Sequence, residues 1–205
     1  MNVFMQWVEH FGGKCVKEFD QSVYLQSFPD FLRGGCCMTL CCNWIAKDGD
    51  MDTFLTHINS KVGKAQVRGF QGLGTKASGP AAQLGGYFVG YVSEVLKVYK
   101  CSFRGEVAIG NSRSEDSIRE ISRFVFNKDA YYQYHFQSSA DSSGHAIAFR
   151  KRGGEYAIFD PNYGMAKFTG AQAWQKFGQS LEKLLNDFYP SLGGHWELIR
   201  VYRNA

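Results

Sequence analysis

The sequence predicts an α+β protein, and three observations predict it. Apolar residues recur with helical spacing through most of the first half. Runs of alternating or aromatic-rich composition cluster after residue 130, without the regular strand–helix alternation of a parallel sheet. With 44% hydrophobic and 20% charged residues in 205 positions, the chain can bury a full core, which excludes disorder, collagen and a pure coiled coil.

The elements follow in order. Val3, Phe4, Trp7, Val8 and Phe11 share one helical face. A helix is expected from near Gly35 to about Lys47, with Cys37, Leu40, Cys41 and Trp44 on one stripe. Asp50 can cap a second helix carrying Phe54, Ile58 and Val62. The Gly-rich run from Gly69 to Pro80 reads as a long surface loop. A third helix follows over about Ala81 to Tyr99, with Leu84, Phe88, Tyr91 and Val95 on one side and Gly86 and Gly90 allowing close packing. Ser114 opens a fourth helix, with Glu115 and Asp116 favourably placed in its first turn, then Ile118, Ile121 and Val125. Thr169 and Gln172 have the spacing of a capping box ahead of Trp174, Phe177, Leu181, Leu184 and Phe188, and Pro190 lies just past the end. Strands are expected at Tyr131–Gln137, His145–Arg150, Glu155–Asp160 and Trp196–Tyr202.

The net charge of +4 is too small to indicate a nucleic-acid partner. No apolar run approaches the roughly 20 residues of a membrane span. The N-terminal segment has neither the basic start nor the small-residue cleavage site of an export signal. Four of the six cysteines, Cys36, Cys37, Cys41 and Cys42, crowd into one short run, which is no disulfide framework and points to free thiols in a reducing compartment. A zinc site is the other reading of that cluster, although it lacks a second ligand pair at the usual spacing. The Gly-rich run does not match a phosphate-binding loop.

The segments on either side of Lys151-Arg152-Gly153-Gly154 form a hairpin pattern. Centring the turn on these four residues sets Arg150 opposite Glu155, Phe149 opposite Tyr156 and Ile147 opposite Ile158. The same register sets His145 directly opposite Asp160, close enough for the carboxylate to fix the imidazole tautomer. A surface ion pair is the alternative reading. A His–Asp pair becomes a hydrolytic site when a nucleophile joins it. Cys37 is the candidate: it follows Gly34-Gly35 at the start of a helix, where free N–H groups and the helix dipole stabilise a thiolate. Cys36, one residue earlier, is the rival, and Cys41 and Cys42 read as small core residues.

Gly35-Cys36-Cys37-Met38-Thr39-Leu40 followed by Trp44 resembles the G-x-C-x-x-L-x-x-x-W nucleophile helix of the YopT/AvrPphB-type cysteine proteases. Gly144-His145-Ala146 and Phe159-Asp160-Pro161-Asn162-Tyr163-Gly164 resemble that family's histidine and aspartate segments, in the same order. The alignment selects Cys37 over Cys36, because only Cys37 places Leu40 and Trp44 correctly. The resemblance implies a single papain-like domain over residues 1–205, with the nucleophile helix packed against an antiparallel sheet. It implies Cys37, His145 and Asp160 as the catalytic residues, with no cofactor and no metal. It also implies a bacterial virulence effector or toxin, secreted by a type III route into the host cell cytoplasm without a cleavable signal peptide.

The expected partner is a host protein substrate, either a Rho-type GTPase or a kinase, met by a monomer with no nucleic acid involved. Arg150-Lys151-Arg152 and Lys97 to Lys100 with Arg104 read as solvated basic groups, the former able to support peripheral membrane contact. One departure stands out. Papain-like enzymes place a Gln or Asn a few residues before the cysteine, and the nearest amide here, Gln26, is too far back along the chain. Deamidation or acyl transfer at a Gln side chain would use the same three residues, and a metal-holding binding domain is the non-enzymatic alternative. The start of the catalytic motif within 40 residues of Met1 suggests a trimmed catalytic domain or a module of a larger toxin.

Overall fold

The computed structural model describes residues 1–28, 35–74, 87–99, 101–141 and 143–203. Helix α1 (Val3–His10) is capped by Asn2, whose side chain accepts from the Met5 N–H at 3.0 Å. Strand β1 (Lys14–Glu18) and a short helix α2 (Gln21–Leu25) lead to α3 (Cys37–Ala46). Asp50 caps α4 (Met51–Asn59) through the Thr53 N–H at 2.8 Å. Helices α5 (Lys61–Gly74) and α6 (Tyr87–Val98), strand β2 (Cys101–Gly110) and helix α7 (Glu115–Phe126) follow. Four strands come next: β3 (Ala130–Gln137), β4 (Gly144–Arg152), β5 (Glu155–Asp160) and β6 (Gly164–Phe168). Helix α8 (Ala173–Lys183) runs into a π-helical turn (Leu184–Phe188), and β7 (Trp196–Arg203) is the final strand.

Among the described residues the strands form one antiparallel sheet in the order β1-β6-β5-β4-β3-β7-β2. Two cores cover its faces. On one face Ala146, Ala148, Ala157 and Phe159 meet α3 to α6; on the other Tyr132, Tyr134, Ile147, Phe149 and Ile158 meet α1, α7 and α8. The strands alternate as period 2 requires, with small residues toward α3 and bulky ones away from it. The alanines let α3 lie close to the centre of the sheet, and that closeness places the site.

Several expectations are corrected. The helix stripe through Val62 breaks at Ser60, which caps α5 through the Gly63 N–H at 3.0 Å; Val62 is exposed, and Val67 and Phe70 are the buried residues. The Gly-rich run is no loop as far as Gly74, because α5 continues through it; its remainder, with Leu84 and Gly86 of the third predicted helix, lies outside the described residues. Ser114 does form a capping box, with Ser117 as the reciprocal partner. Thr169 and Gln172 do not: Gln172 occupies the cap position at a left-handed φ of 63° and its side chain makes no cap bond. Trp174 is exposed against Phe126 instead of buried.

The hairpin register also shifts by one step on each strand. A two-residue turn at Gly153-Gly154 pairs Phe149 with Ile158, Arg150 with Ala157 and Arg152 with Glu155. Arg150 and Glu155 still form their ion pair, as diagonal neighbours. Arg150 is buried and also donates to the Asp48 carbonyl at 2.8 Å, while Lys151 meets Asp129 at 2.5 Å and Arg152 meets Asp48 at 2.7 Å. This group is therefore matched by carboxylates, not freely solvated.

Candidate active site

Three segments converge at one end of the sheet. Helix α3 supplies the first. Gly35 turns the chain into it at φ 107°, a conformation that side chains disfavour. Cys36 is the cap residue and Cys37 the first helical residue. The helix is pinned from below: the buried Gln133 on β3 donates to the Met38 carbonyl at 3.0 Å and accepts from Cys42 Sγ at 3.2 Å. Cys41 Sγ reaches the Ala146 carbonyl at 3.4 Å, and the Trp44 ring lies parallel to Phe159. These contacts hold the first turn of α3 against the start of β4.

There β4 presents His145. The Cys37 sulfur is close enough to act on the imidazole and raise it. His145 Nε2 lies 3.0 Å from Asp160 Oδ1, which leaves Nδ1 as the nitrogen for the sulfur. In the observed register His145 and Asp160 are not directly opposite: the ladder ends at Ala148 across from Phe159, and its continuation would set Asp160 against Ile147, two residues from His145. The shift is by an even number of residues, so both side chains keep the same face and meet diagonally. Burial alone would drive the imidazolium to lose its proton. The Asp160 carboxylate and the Cys37 sulfur outweigh burial and raise His145 to about 10.

Asp160 is completely buried and begins the turn that ends β5. Its Oδ1 also accepts from the Asn162 N–H at 2.8 Å. The turn depends on Gly164, whose φ is 108° and where a Cβ would stand 2.1 Å from the Lys17 carbonyl oxygen. The adjacent Pro161 carbonyl accepts from the Gln21 N–H at 2.7 Å, which docks α2 beside the site.

A family model described as Yersinia/Haemophilus virulence surface antigen, peptidase C58, matches residues 93–200. That span is more than half of the chain. The chain belongs to this family.

Peptidase C58 membership makes it a cysteine protease of the YopT/AvrPphB type. The crystal structure of the Pseudomonas avirulence protein AvrPphB aligns with a TM-score of 0.66 at 17% identity, covering 95% of this chain and 98% of that one, and gives the papain-like α+β fold. The YopT domain of the Pasteurella multocida PfhB2 toxin aligns at 17% identity over 90% of each chain, with a TM-score of 0.31. Comparison with curated proteins returned no match.

In this peptidase C58 chain the clustered cysteines divide by environment. Cys36 is 1% exposed, and burial followed by the neighbouring Cys37 pushes its thiol up. Burial raises Cys41 as well, and pushes Cys42 up to about 12. Cys37 alone of the four is half-buried and reaches a base. Among the described residues no group of three His, Cys, Asp or Glu side chains could hold a metal ion. His135 lies buried on β3, and burial first, then His145, lowers it to about 3. His195 sits 2.9 Å from Glu197.

Three neighbours of the site escape sequence reasoning. Gln21, sixteen residues before Cys37, places an amide beside the head of α3: its Oε1 accepts from the Cys36 N–H at 3.2 Å. Asn162 joins it, accepting from Gln21 Nε2 at 2.6 Å. Tyr189 stacks on His145, with ring centroids 4.7 Å apart and planes inclined by 24°. Asn162 lies inside a recognised motif but carries no spacing signal of its own. Tyr189, directly before Pro190, falls outside every periodic stripe.

Proposed function

We propose that this protein is a virulence effector that cleaves a host protein with Cys37 as nucleophile, His145 as base and acid, and Asp160 as the group that orients His145. The observation that carries the proposal is the single imidazole on which both the Cys37 sulfur and the Asp160 carboxylate, 3.0 Å away, act. His145 takes the thiol proton, and the resulting imidazolium is stabilised by Asp160. The thiolate attacks a peptide carbonyl, forming a C–S bond and an oxyanion at the head of α3, where backbone N–H groups point outward and the helix dipole favours negative charge. His145 then protonates the leaving amine as the C–N bond breaks. Water, activated by the same imidazole, hydrolyses the thioester and restores the thiol.

Residues 1–205 act as one papain-like domain in this reading. It is supported by the first and last strands, β1 and β7, lying in one sheet. The substrate is a host protein, with a Rho-type GTPase and a kinase as the two classes to test, and delivery is into the host cytoplasm. The decisive experiment combines a covalent cysteine-protease inhibitor with peptide mapping, and intact mass of candidate substrates after incubation. Label on Cys37 and a cleaved substrate support the proposal. Label on another cysteine overturns the residue assignment. A substrate that stays whole and gains about one dalton, as Gln becomes Glu through the same acyl-enzyme chemistry, overturns proteolysis in favour of deamidation.

A further inference from the structure

We infer that Tyr189 is a positioning residue of this site, the last member of a directed hydrogen-bond chain that ties the head of the nucleophile helix to the carboxylate behind His145. The inference rests on the assignment of Cys37, His145 and Asp160 proposed above. The chain runs in one sense. The Cys36 N–H donates to Gln21 Oε1 at 3.2 Å, Gln21 Nε2 to Asn162 Oδ1 at 2.6 Å, Asn162 Nδ2 to the Tyr189 oxygen at 2.9 Å, and the Tyr189 O–H to Asp160 Oδ2 at 2.9 Å. Each acceptor group is also the next donor, so every bond polarises the one that follows. His145 closes the circuit by donating from Nε2 to Asp160 Oδ1. The Tyr189 hydroxyl thus reaches both oxygens of one buried carboxylate, Oδ2 at 2.9 Å and Oδ1 at 3.1 Å, and shares Oδ1 with the imidazole.

The direction of the last bond follows from the phenol itself. Burial, then the Asp160 carboxylate, pushes the Tyr189 hydroxyl far above its ordinary range, so it keeps its proton and donates. Its oxygen lies 3.0 Å from His145 Nε2 as well, and its ring covers the imidazole with Phe136 edge-on behind. The ring therefore screens the His145–Asp160 bond from water, while the hydroxyl limits how much of the carboxylate's charge reaches the imidazolium.

The backbone is shaped to deliver this residue. Helix α8 ends in the π-helical turn Leu184–Phe188 immediately before Tyr189, a feature often found at functional sites. Arg113 then fastens the segment, donating to the Tyr189 carbonyl at 2.8 Å and to the Leu192 carbonyl at 3.1 Å. The four bonded side chains come from α2, the end of β5 and the segment after α8, so the chain fixes their relative placement around the site.

The test is the pH profile of Cys37 alkylation by iodoacetamide, which reads the sulfur–imidazole pair without any substrate. In the wild type the profile should show a limb at high pH where the imidazolium loses its proton. Tyr189→Phe keeps the ring and removes the hydroxyl. More of the Asp160 charge then acts on the imidazolium, and the limb should move up by about one pH unit, the size expected for one charge-assisted hydrogen bond. Gln21→Met breaks the chain at its far end and should move the limb in the same sense by less. An unmoved limb in a folded Tyr189→Phe protein overturns the inference and leaves Tyr189 a packing residue. If that variant does not fold, an unmoved limb in Gln21→Met overturns it. A wild-type profile with no imidazolium limb would instead refute the Cys37–His145 assignment, so the two failures are distinct.

Discussion

The Trp44 indole lies parallel to the Phe159 ring, with centroids 5.4 Å apart and planes inclined by 10°. Both residues are fully buried. This contact carries α3 onto β5, the strand that ends in Asp160, and so couples the seat of Cys37 to the seat of its distant partner. Trp44→Ala should cost about 3–5 kcal/mol of stability, the range for emptying a buried aromatic site. Urea denaturation measures it. The same variant should react more slowly with a covalent inhibitor under conditions where it remains folded.

Cys37→Ala should lower proteolysis by about 10⁴-fold or more, as loss of a nucleophile does, with little change in Tm. Cys36→Ala should retain activity, because the Cys36 side chain is buried at the cap and its thiol is pushed up. Paired activity and melting measurements separate the two. Loss of activity in Cys36→Ala with survival in Cys37→Ala would reverse the assignment.

The His145 imidazolium gives stability a defined pH dependence. Burial works against its charge, but Asp160 and Cys37 raise it to about 10, above the ordinary 6.5. A raised cationic group stabilises fully below its unfolded value, and that contribution is lost as pH climbs to the folded one. The denaturation midpoint should therefore fall between about pH 6.5 and pH 10 in the wild type. Replacing His145 with Gln should flatten the slope; an equally steep fall in that variant would place its origin elsewhere.

Gly164→Ala should destabilise the protein by about 3 kcal/mol or more, since strained backbone alone costs roughly 1–3 kcal/mol. The added methyl would also sit 2.1 Å from the Lys17 carbonyl, forcing β1 away from β6. Hydrogen exchange should show lost protection in Lys14–Glu18 first.

How much of this was legible in the sequence depended on range. Local chemistry was: the Asp50 and Ser114 caps act as side-chain spacing indicates, and the hairpin strands lie where alternation puts them. The hairpin register was not, because Arg150 is long enough to reach Glu155 diagonally, so charge pairing fits two alignments. Strands β1, β2 and β6 were missed. The first and last are five residues each, too short for a period, and β2 carries a register break between Phe103 and Val107. Helix α5 hides in a Gly-rich run because packing of Val67 and Phe70 outweighs weak local propensity. Gln21 and Tyr189 were invisible for a different reason: their partners lie far along the chain, and no local pattern records them.

The sulfur and the imidazole come from stretches of chain more than a hundred residues apart, and neighbouring strands of the sheet come from both ends of the sequence. Neither group meets its counterpart until β4 lies under α3 and β5 has docked beside it. An unfolded polypeptide therefore keeps this thiol and this histidine apart, and any reactivity they share requires the assembled sheet and helix.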